Sequence, residues 1–124
     1  MSLLVMETSP LPAMTVETTH HIDASDPDEN GYYDYFYEYD IYRFSDGQSA
    51  FVARSYVDTP AEVHFLKYGV GSEERLLTAR DLREPLFAEA CEYLRNLGKT
   101  QINWLDREAG DYRSVPDIAS IRPK

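Results

Sequence analysis

Two carboxylates in an aromatic run have the residue types and spacing of a catalytic pair. Glu38 and Asp40 are separated by one residue, so on a β-strand they share one face, with Cα atoms about 6.6–6.8 Å apart. That separation suits an inverting glycosidase, in which an acid and a base flank the bond that is cleaved. A catalytic acid needs burial to raise its pKa, whereas this pair is expected on an exposed face beside Arg54. A solvated strand face is therefore the favoured interpretation.

The stretch Asp26-x-Asp28-x-Asn30-Gly31 matches the opening of an EF-hand calcium loop. Such a loop takes oxygen ligands at its positions 1, 3 and 5, has Gly at position 6 and ends with a bidentate Glu at position 12. Position 12 is Tyr37 in this chain, and strand-forming residues replace the second helix. We therefore expect an ordinary solvated turn, with Asp26, Asp28 and Asn30 as the weaker alternative of a calcium site.

The histidines and the single cysteine show no recognisable catalytic arrangement. His64 is expected in a strand without a nucleophile that the sequence places near it, and Cys91 lies beside the apolar stripe of a helix, which favours a buried, unreactive thiol. The segment His20-His21-x-Asp23 has metal-binding side chains, but a disordered segment would hold them poorly. We expect no cofactor, no metal and a non-enzymatic function in preference to an enzymatic one.

The elements that position these residues centre on a β-hairpin. An aromatic run from Tyr32 to Phe44 and an apolar run from Ser49 to Val57 flank Ser45-Asp46-Gly47, and Asp-Gly between such runs is typical of a hairpin turn. We expect a three-residue loop at 45–47, because a two-residue loop would bury two carboxylates without partners.

This loop divides the hairpin into two faces. The face expected beneath a helix consists of Tyr35, Tyr37, Tyr39, Ile41, Phe51, Ala53 and Val57. The face expected in solvent consists of Phe36, Glu38, Asp40, Tyr42, Val52, Arg54 and Tyr56. Glu38 then opposes Arg54, and such a cross-strand pair contributes a few tenths of a kcal/mol to about 1 kcal/mol.

The rest of the chain predicts an α+β fold, with a small antiparallel sheet of about four to six strands in the order β-β-β-(β)-α-β-β and one main helix packed on one face. Strands are expected at 62–68, 75–77, 101–105 and 111–115, and a helix from Pro85 to about Leu97, ended by Gly98. Residues 1–30 are expected to be a disordered acidic N-terminal tail, residues 31–115 a single domain and residues 116–124 a C-terminal tail.

Charge and composition exclude several classes of partner. The net charge is −10, and the first 31 residues contain six acids and no Lys or Arg, so the positive field that attracts nucleic acid is absent. No apolar stretch approaches the roughly 18 residues of a membrane span. A single cysteine is typical of a reducing compartment. We expect a cytoplasmic protein that binds neither nucleic acid nor membrane.

The solvent-facing side of the hairpin is the strongest candidate for function, because Tyr and Arg are enriched where proteins meet. We predict a protein-interaction module with the candidate binding residues Phe36, Glu38, Asp40, Tyr42, Arg54 and Tyr56. The expected partner is a protein with a basic patch, as for an inhibitor or immunity-type protein, or a second copy of the chain. Two alternatives stay open: a small enzyme or ligand-binding protein with a pocket between sheet and helix, using Glu38, Asp40 and His64, and a self-associating structural protein.

Overall fold

The computed structural model describes residues 14–115, which form one mixed β-sheet with a single α-helix on one face. The strands are β1 (Thr15–Ala24), β2 (Phe36–Ser45), β3 (Ser49–Tyr56), β4 (Glu62–Val70), β5 (Glu73–Arg75), β6 (Gln101–Asp106) and β7 (Asp111–Ser114). A 3-10 helix at Ala79–Arg83 precedes the helix α1 (Pro85–Asn96). The predicted α+β class with one main helix is confirmed.

The strands lie in the order β1-β2-β3-β4-β6-β7, and β5 pairs with β4. Neighbouring strands are antiparallel except β4 and β6, which are parallel. The chain leaves β4, passes through α1 and returns beside β4 in the same direction, as a helical crossover requires. The sheet is therefore mixed, and the expectation of a wholly antiparallel sheet is corrected on this point.

Strand β1 lies within the segment that was expected to be a disordered tail. It pairs with β2 along its whole length, from Thr15 opposite Ser45 to Ala24 opposite Phe36. Its β-branched residues, which are Thr, Val and Ile, suit a pleated surface. The edge of β2 supplies hydrogen-bond partners for the backbone of β1. For these residues the structure replaces the expected tail with a strand. Residues 1–13 of that tail and the predicted C-terminal tail, 116–124, lie outside the described residues.

The register between β2 and β3 differs from the predicted one. Phe44 opposes Phe51, and Gly47, with φ of 93°, lies in a tight loop closed by a hydrogen bond from the Asp46 amide to the Ser49 carbonyl (3.2 Å). The Asp46 carboxylate accepts hydrogen bonds from the backbone N–H groups of Ser49 and Gln48, both at 2.9 Å. These two bonds hold the pKa of Asp46 below its ordinary value. The loop lies between Ser45 of β2 and Ser49 of β3, so it begins one residue later than the predicted loop at 45–47.

The new register places the β2 side chains on the face opposite to the predicted one, whereas those of β3 lie where expected. We call the side packed against α1 the helix face, and the side that no described element covers the open face. Tyr42 and Phe44 are buried on the helix face, and Glu38 and Asp40 share that face by alternation. The predicted Glu38–Arg54 pair does not form, because Arg54 opposes Ile41.

The core lies between the helix face and α1. Its fully buried large side chains are Phe44, Phe51, Val63, Phe65, Leu77, Phe87, Cys91 and Leu94. Helix α1 begins at Pro85 and its C-cap is Leu97, followed by Gly98 with φ of 95°, as the sequence predicts. Burial raises the pKa of Cys91 to about 12, which agrees with the predicted unreactive thiol.

An ion pair between the buried carboxylate of Asp81 and the partly exposed guanidinium of Arg75 fixes the turn that leads into α1. Asp81 is 3% exposed and accepts two hydrogen bonds from the Arg75 guanidinium, at 2.8 and 2.9 Å, and a third from the Thr78 amide at 2.8 Å. Burial alone would raise the pKa of Asp81, but the bonds from Arg75 and Thr78 outweigh it, and the pKa lies below its ordinary value. The Arg75 guanidinium also lies over the ring of Tyr68, 4.8 Å from its centre.

We expect Arg75→Ala to lower the free energy of unfolding at neutral pH by about 2 kcal/mol, because the buried Asp81 carboxylate loses its counter-ion and two charge-assisted hydrogen bonds. The partial exposure of Arg75 keeps the loss below that of a fully buried ion pair. The pKa of Asp81 is depressed by folding, so this contribution exists above the ordinary value of 3.8 and disappears as the pH falls through the folded-state pKa. Urea unfolding at neutral pH and near pH 3 measures both effects.

The matched control is Arg80→Ala, which removes an exposed guanidinium from the same turn. We expect Arg80→Ala to change the free energy of unfolding by less than about 0.5 kcal/mol. Equal losses of unfolding free energy in the two variants would contradict the role of the Arg75–Asp81 pair.

Candidate functional site

The residues predicted to form one binding face are divided between two faces of the sheet. Those on the helix face are Phe36, Glu38, Asp40 and Tyr42, and those on the open face are Arg54 and Tyr56. Tyr42 is 6% exposed and stacks on Phe44 with ring centres 6.2 Å apart, so it belongs to the core. The single acidic-aromatic face is thus corrected, because the register places its β2 half on the other side. The binding roles of the individual residues stay predictions.

Strands β1 and β2 extend beyond the end of β3 as a two-stranded arm. Strand β3 pairs with β2 only from Tyr39 onward, whereas β1 pairs with β2 out to Phe36. We define the arm as residues 20–40, of which Tyr39 and Asp40 still pair with the end of β3. Six of the arm's large apolar side chains are between 46 and 71% exposed, and they are Ile22, Tyr32, Tyr33, Tyr35, Phe36 and Tyr37.

The arm is the part of the described chain in which negative charge is most concentrated. It contains seven carboxylates and no Lys or Arg, and these acids are Asp23, Asp26, Asp28, Glu29, Asp34, Glu38 and Asp40. The first basic residue after the arm is Arg43. A cluster of one sign on a protruding element produces a local negative field that attracts cationic surfaces.

The segment with the calcium-loop pattern forms the turn of the arm. The Asp28 carboxylate accepts hydrogen bonds from the backbone N–H groups of Asn30 at 2.8 Å and Tyr32 at 2.9 Å, and Gly31 has φ of 86°. The Asp28 side chain therefore holds the turn, as aspartates commonly do. Across residues 14–115, no group of three or more His, Cys, Asp or Glu side chains is arranged to hold a metal ion.

A histidine bridges the two carboxylates of β2 across the inner part of the arm. Nδ1 of His20 lies 2.6 Å from Oδ1 of Asp40, and Nε2 lies 2.7 Å from Oε2 of Glu38. Both ring nitrogens face acceptors, so the imidazolium form, with two N–H donors, fits this arrangement. The hydrogen bonds to Asp40 and to Glu38 raise the pKa of His20 above its ordinary value of 6.5.

Strand alternation separates the other side chains for which the sequence suggests a shared site. His21 lies on the open face and stacks on Tyr39, so it cannot join His20 in the predicted chelate. His64 also lies on the open face, opposite Arg54, and so does not converge with Glu38 and Asp40 in a pocket. A surface cleft of about 230 Å³ lies elsewhere, lined by Tyr68, Val70, Glu73, Glu74 and Arg75. The sheet–helix pocket required by the enzyme alternative is not built from the proposed residues.

The open face carries a connected cluster of rings and one guanidinium. His21 stacks on Tyr39 with ring centres 5.3 Å apart, and Tyr39 contacts Tyr56 at 5.6 Å. Tyr37 lies 6.0 Å from Tyr56, and the Arg54 guanidinium carbon lies 4.9 Å from the centre of the Tyr56 ring. The predicted register hides this cluster, because it places Tyr37 and Tyr39 beneath the helix.

Comparison of the chain with protein-family models, with curated proteins and with solved structures finds no match. In the described part of the chain, no helix is long and apolar enough to cross a membrane. The function must therefore be inferred from the charge, exposure and contacts of the arm and the open face.

We expect the histidine bridge to contribute to stability at low pH and to lose that contribution as the pH rises. The pKa of His20 is raised by folding, so the native state binds the proton more tightly than the unfolded chain does. The contribution is complete below about pH 6.5 and is lost as the pH rises through the folded-state pKa. NMR titration of the histidine ring signals and thermal unfolding near pH 6 and pH 9 measure it.

The variants that test this bridge are His20→Ala and, as the matched control, His21→Ala. The difference in stability between wild type and His20→Ala should shrink from pH 6 to pH 9, whereas the difference for His21→Ala should show no such decrease. A His20 pKa at or below 6.5 in the folded protein would contradict the bridge.

Proposed function

We propose that this chain is a non-enzymatic protein-interaction module that binds a basic partner protein through its arm. The supporting observation is the combination, on one protruding hairpin, of seven carboxylates without Lys or Arg and of large apolar side chains that are about half exposed or more. Each half of this combination has a separate physical role in binding.

The carboxylates of the arm supply attraction and selectivity. Complementary charge steers encounter and raises the association rate, and it disfavours partners of the same sign. A second copy of the chain would bring two acidic arms together, so like-charge repulsion makes a self-associating structural role the weaker candidate.

The aromatic residues of the arm supply the contact energy. Contiguous exposed apolar side chains are uncommon on a surface that stays in water and are typical of binding sites. Tyrosine contributes a large rigid contact area and a polar hydroxyl, and it is enriched among the residues that dominate interface energies. Tyr32, Tyr33 and Phe36 are the arm residues that we expect to enter the partner's surface.

The concrete form of this proposal is an inhibitor or immunity-type protein, in which an acidic projection occupies a basic site on its target. The single cysteine, buried as Cys91, supports the proposal of a cytoplasmic location, because reducing compartments impose no demand for disulfides.

The test compares two variants of equal charge. The arm variant combines Asp26→Asn, Glu29→Gln and Asp34→Asn, whose side chains are exposed. The control variant combines Glu73→Gln, Glu89→Gln and Glu92→Gln, which are exposed acids of β5 and α1. Each variant and the wild type captures partners from a lysate of the source organism, and the captured partner is then purified and its binding rates are measured.

We expect a basic partner whose association rate falls about tenfold with the arm variant and changes by less than about twofold with the control variant. High salt should weaken wild-type binding and leave binding by the arm variant less affected. Equal losses in the two variants would assign the effect to net charge instead of the arm. An acidic partner, or binding that the arm variant retains in full, would overturn the proposal.

A further inference from the structure

The open face contains an arginine that has no carboxylate partner. Arg54 is partly buried and forms no ion pair within residues 14–115. Its guanidinium carbon lies 4.9 Å from the centre of the Tyr56 ring and 5.9 Å from that of Tyr39. Its Nη2 donates to the hydroxyl of Tyr112 at 3.5 Å, a long bond that opposes movement only weakly.

Two buried nitrogens without hydrogen-bond partners occur at this same place. In the described part of the chain, the buried side-chain polar atoms that lack a partner are Nε of Arg54 and Nδ1 of His64. The two residues are opposite each other in β3 and β4, and the ring of His64 contacts that of Tyr112 at 4.7 Å between centres. Nε of Arg54 is a donor in every state of the side chain, whereas Nδ1 of His64 is a donor or an acceptor according to the tautomer. A buried donor without an acceptor is rare and costly, so Nε of Arg54 indicates a missing acceptor.

We propose that Arg54 anchors a binding site for a carboxylate carried on a flat apolar body. The planar guanidinium presents paired N–H donors that match the two oxygens of a carboxylate. A small outward turn of the Arg54 side chain replaces the long contact to Tyr112 and exposes Nε to the ligand. The half-exposed ring of Tyr37, next to Tyr56, offers a surface for the body of the ligand.

The charge around Arg54 favours a singly charged ligand. Glu62 lies on the same face, with its Oε1 3.4 Å from Nε2 of His64, and the chain carries a net charge of −10. A monoanionic carboxylate balances the single positive charge of Arg54, whereas a doubly charged phosphate would add a second charge that faces Glu62. The site uses different residues from the arm interface and stands independently of it.

The experiment follows the side-chain Nε–Hε signals of arginine by NMR at neutral pH and constant ionic strength. Benzoate is the principal probe, and acetate, chloride and inorganic phosphate are added in separate titrations. We expect a saturable shift of the Arg54 signal with benzoate, with a Kd on the order of 1 mM for so small a ligand. Acetate should bind several-fold more weakly because it lacks the ring.

Several outcomes would overturn the proposal. No saturable shift with benzoate, or the same shift with chloride, would remove the site. Acetate binding as tightly as benzoate would remove the flat apolar body from the proposal, and phosphate binding more tightly than benzoate would replace the carboxylate.

The matched variants are Arg54→Gln and Arg43→Gln. Arg43 is an exposed arginine of β2 on the same face of the sheet, so its loss changes the net charge equally. We expect Arg54→Gln to weaken benzoate binding at least tenfold and Arg43→Gln to change it by less than about twofold. Arg54→Lys keeps the charge without the planar fork and should also weaken binding, which keeps the test valid if Arg54→Gln alters the fold. Undiminished binding by Arg54→Lys and Arg54→Gln would overturn the role of the guanidinium.

Discussion

The hydrogen-bonded turn between β2 and β3 sets the register on which the rest of the structure depends. The Asp46 carboxylate holds the amides of Gln48 and Ser49, and this turn brings Phe44 opposite Phe51 beneath α1. Both phenylalanines are fully buried, and burial of such a side chain contributes about 1.5–3 kcal/mol. A shift of one residue would expose Phe44 and turn Tyr37 and Tyr39 inward, so the arm, the histidine bridge and the open face all follow from this pairing.

The sequence predicted the elements with local signals and failed where distant contacts decide. Helix α1 has a proline at its first position and a glycine after its end, and both act within a turn of the backbone. The predicted register of β2 rests on the free-energy cost of burying Glu38 and Asp40. That prediction would be right if the core extended to these two carboxylates. The core does not, because Glu38 lies past the end of β3 and Asp40 opposes Ser55 close to that end, so both carboxylates stay partly exposed.

The same distinction explains why the candidate sites were only partly visible. Acidic residues and threonines gave 15–24 the composition of a disordered tail, but β1 is stabilised by the edge of β2, which no local pattern reveals. Because β1 was not predicted, nothing in the sequence indicated that His20 lies next to Glu38 and Asp40. The open-face cluster joins residues from β1, β2 and β3, and Arg54 also contacts Tyr112 of β7. Only the order of strands in the sheet brings these residues together.

The bridge and the cluster also bear on how the arm can bind. Alternation along β2 gives the arm a side that carries Glu38 and Asp40 and a side that carries Tyr37 and Tyr39, and the two sides are fixed by different contacts. His20 bonds both carboxylates on one side, and ring contacts with His21 and Tyr56 order the other. An isolated two-stranded hairpin is only marginally stable in water, so these contacts keep the arm in one conformation before a partner arrives. A projection that is already ordered loses less conformational entropy on binding than a flexible tail would, and this is the physical reason to place the proposed recognition function on the arm.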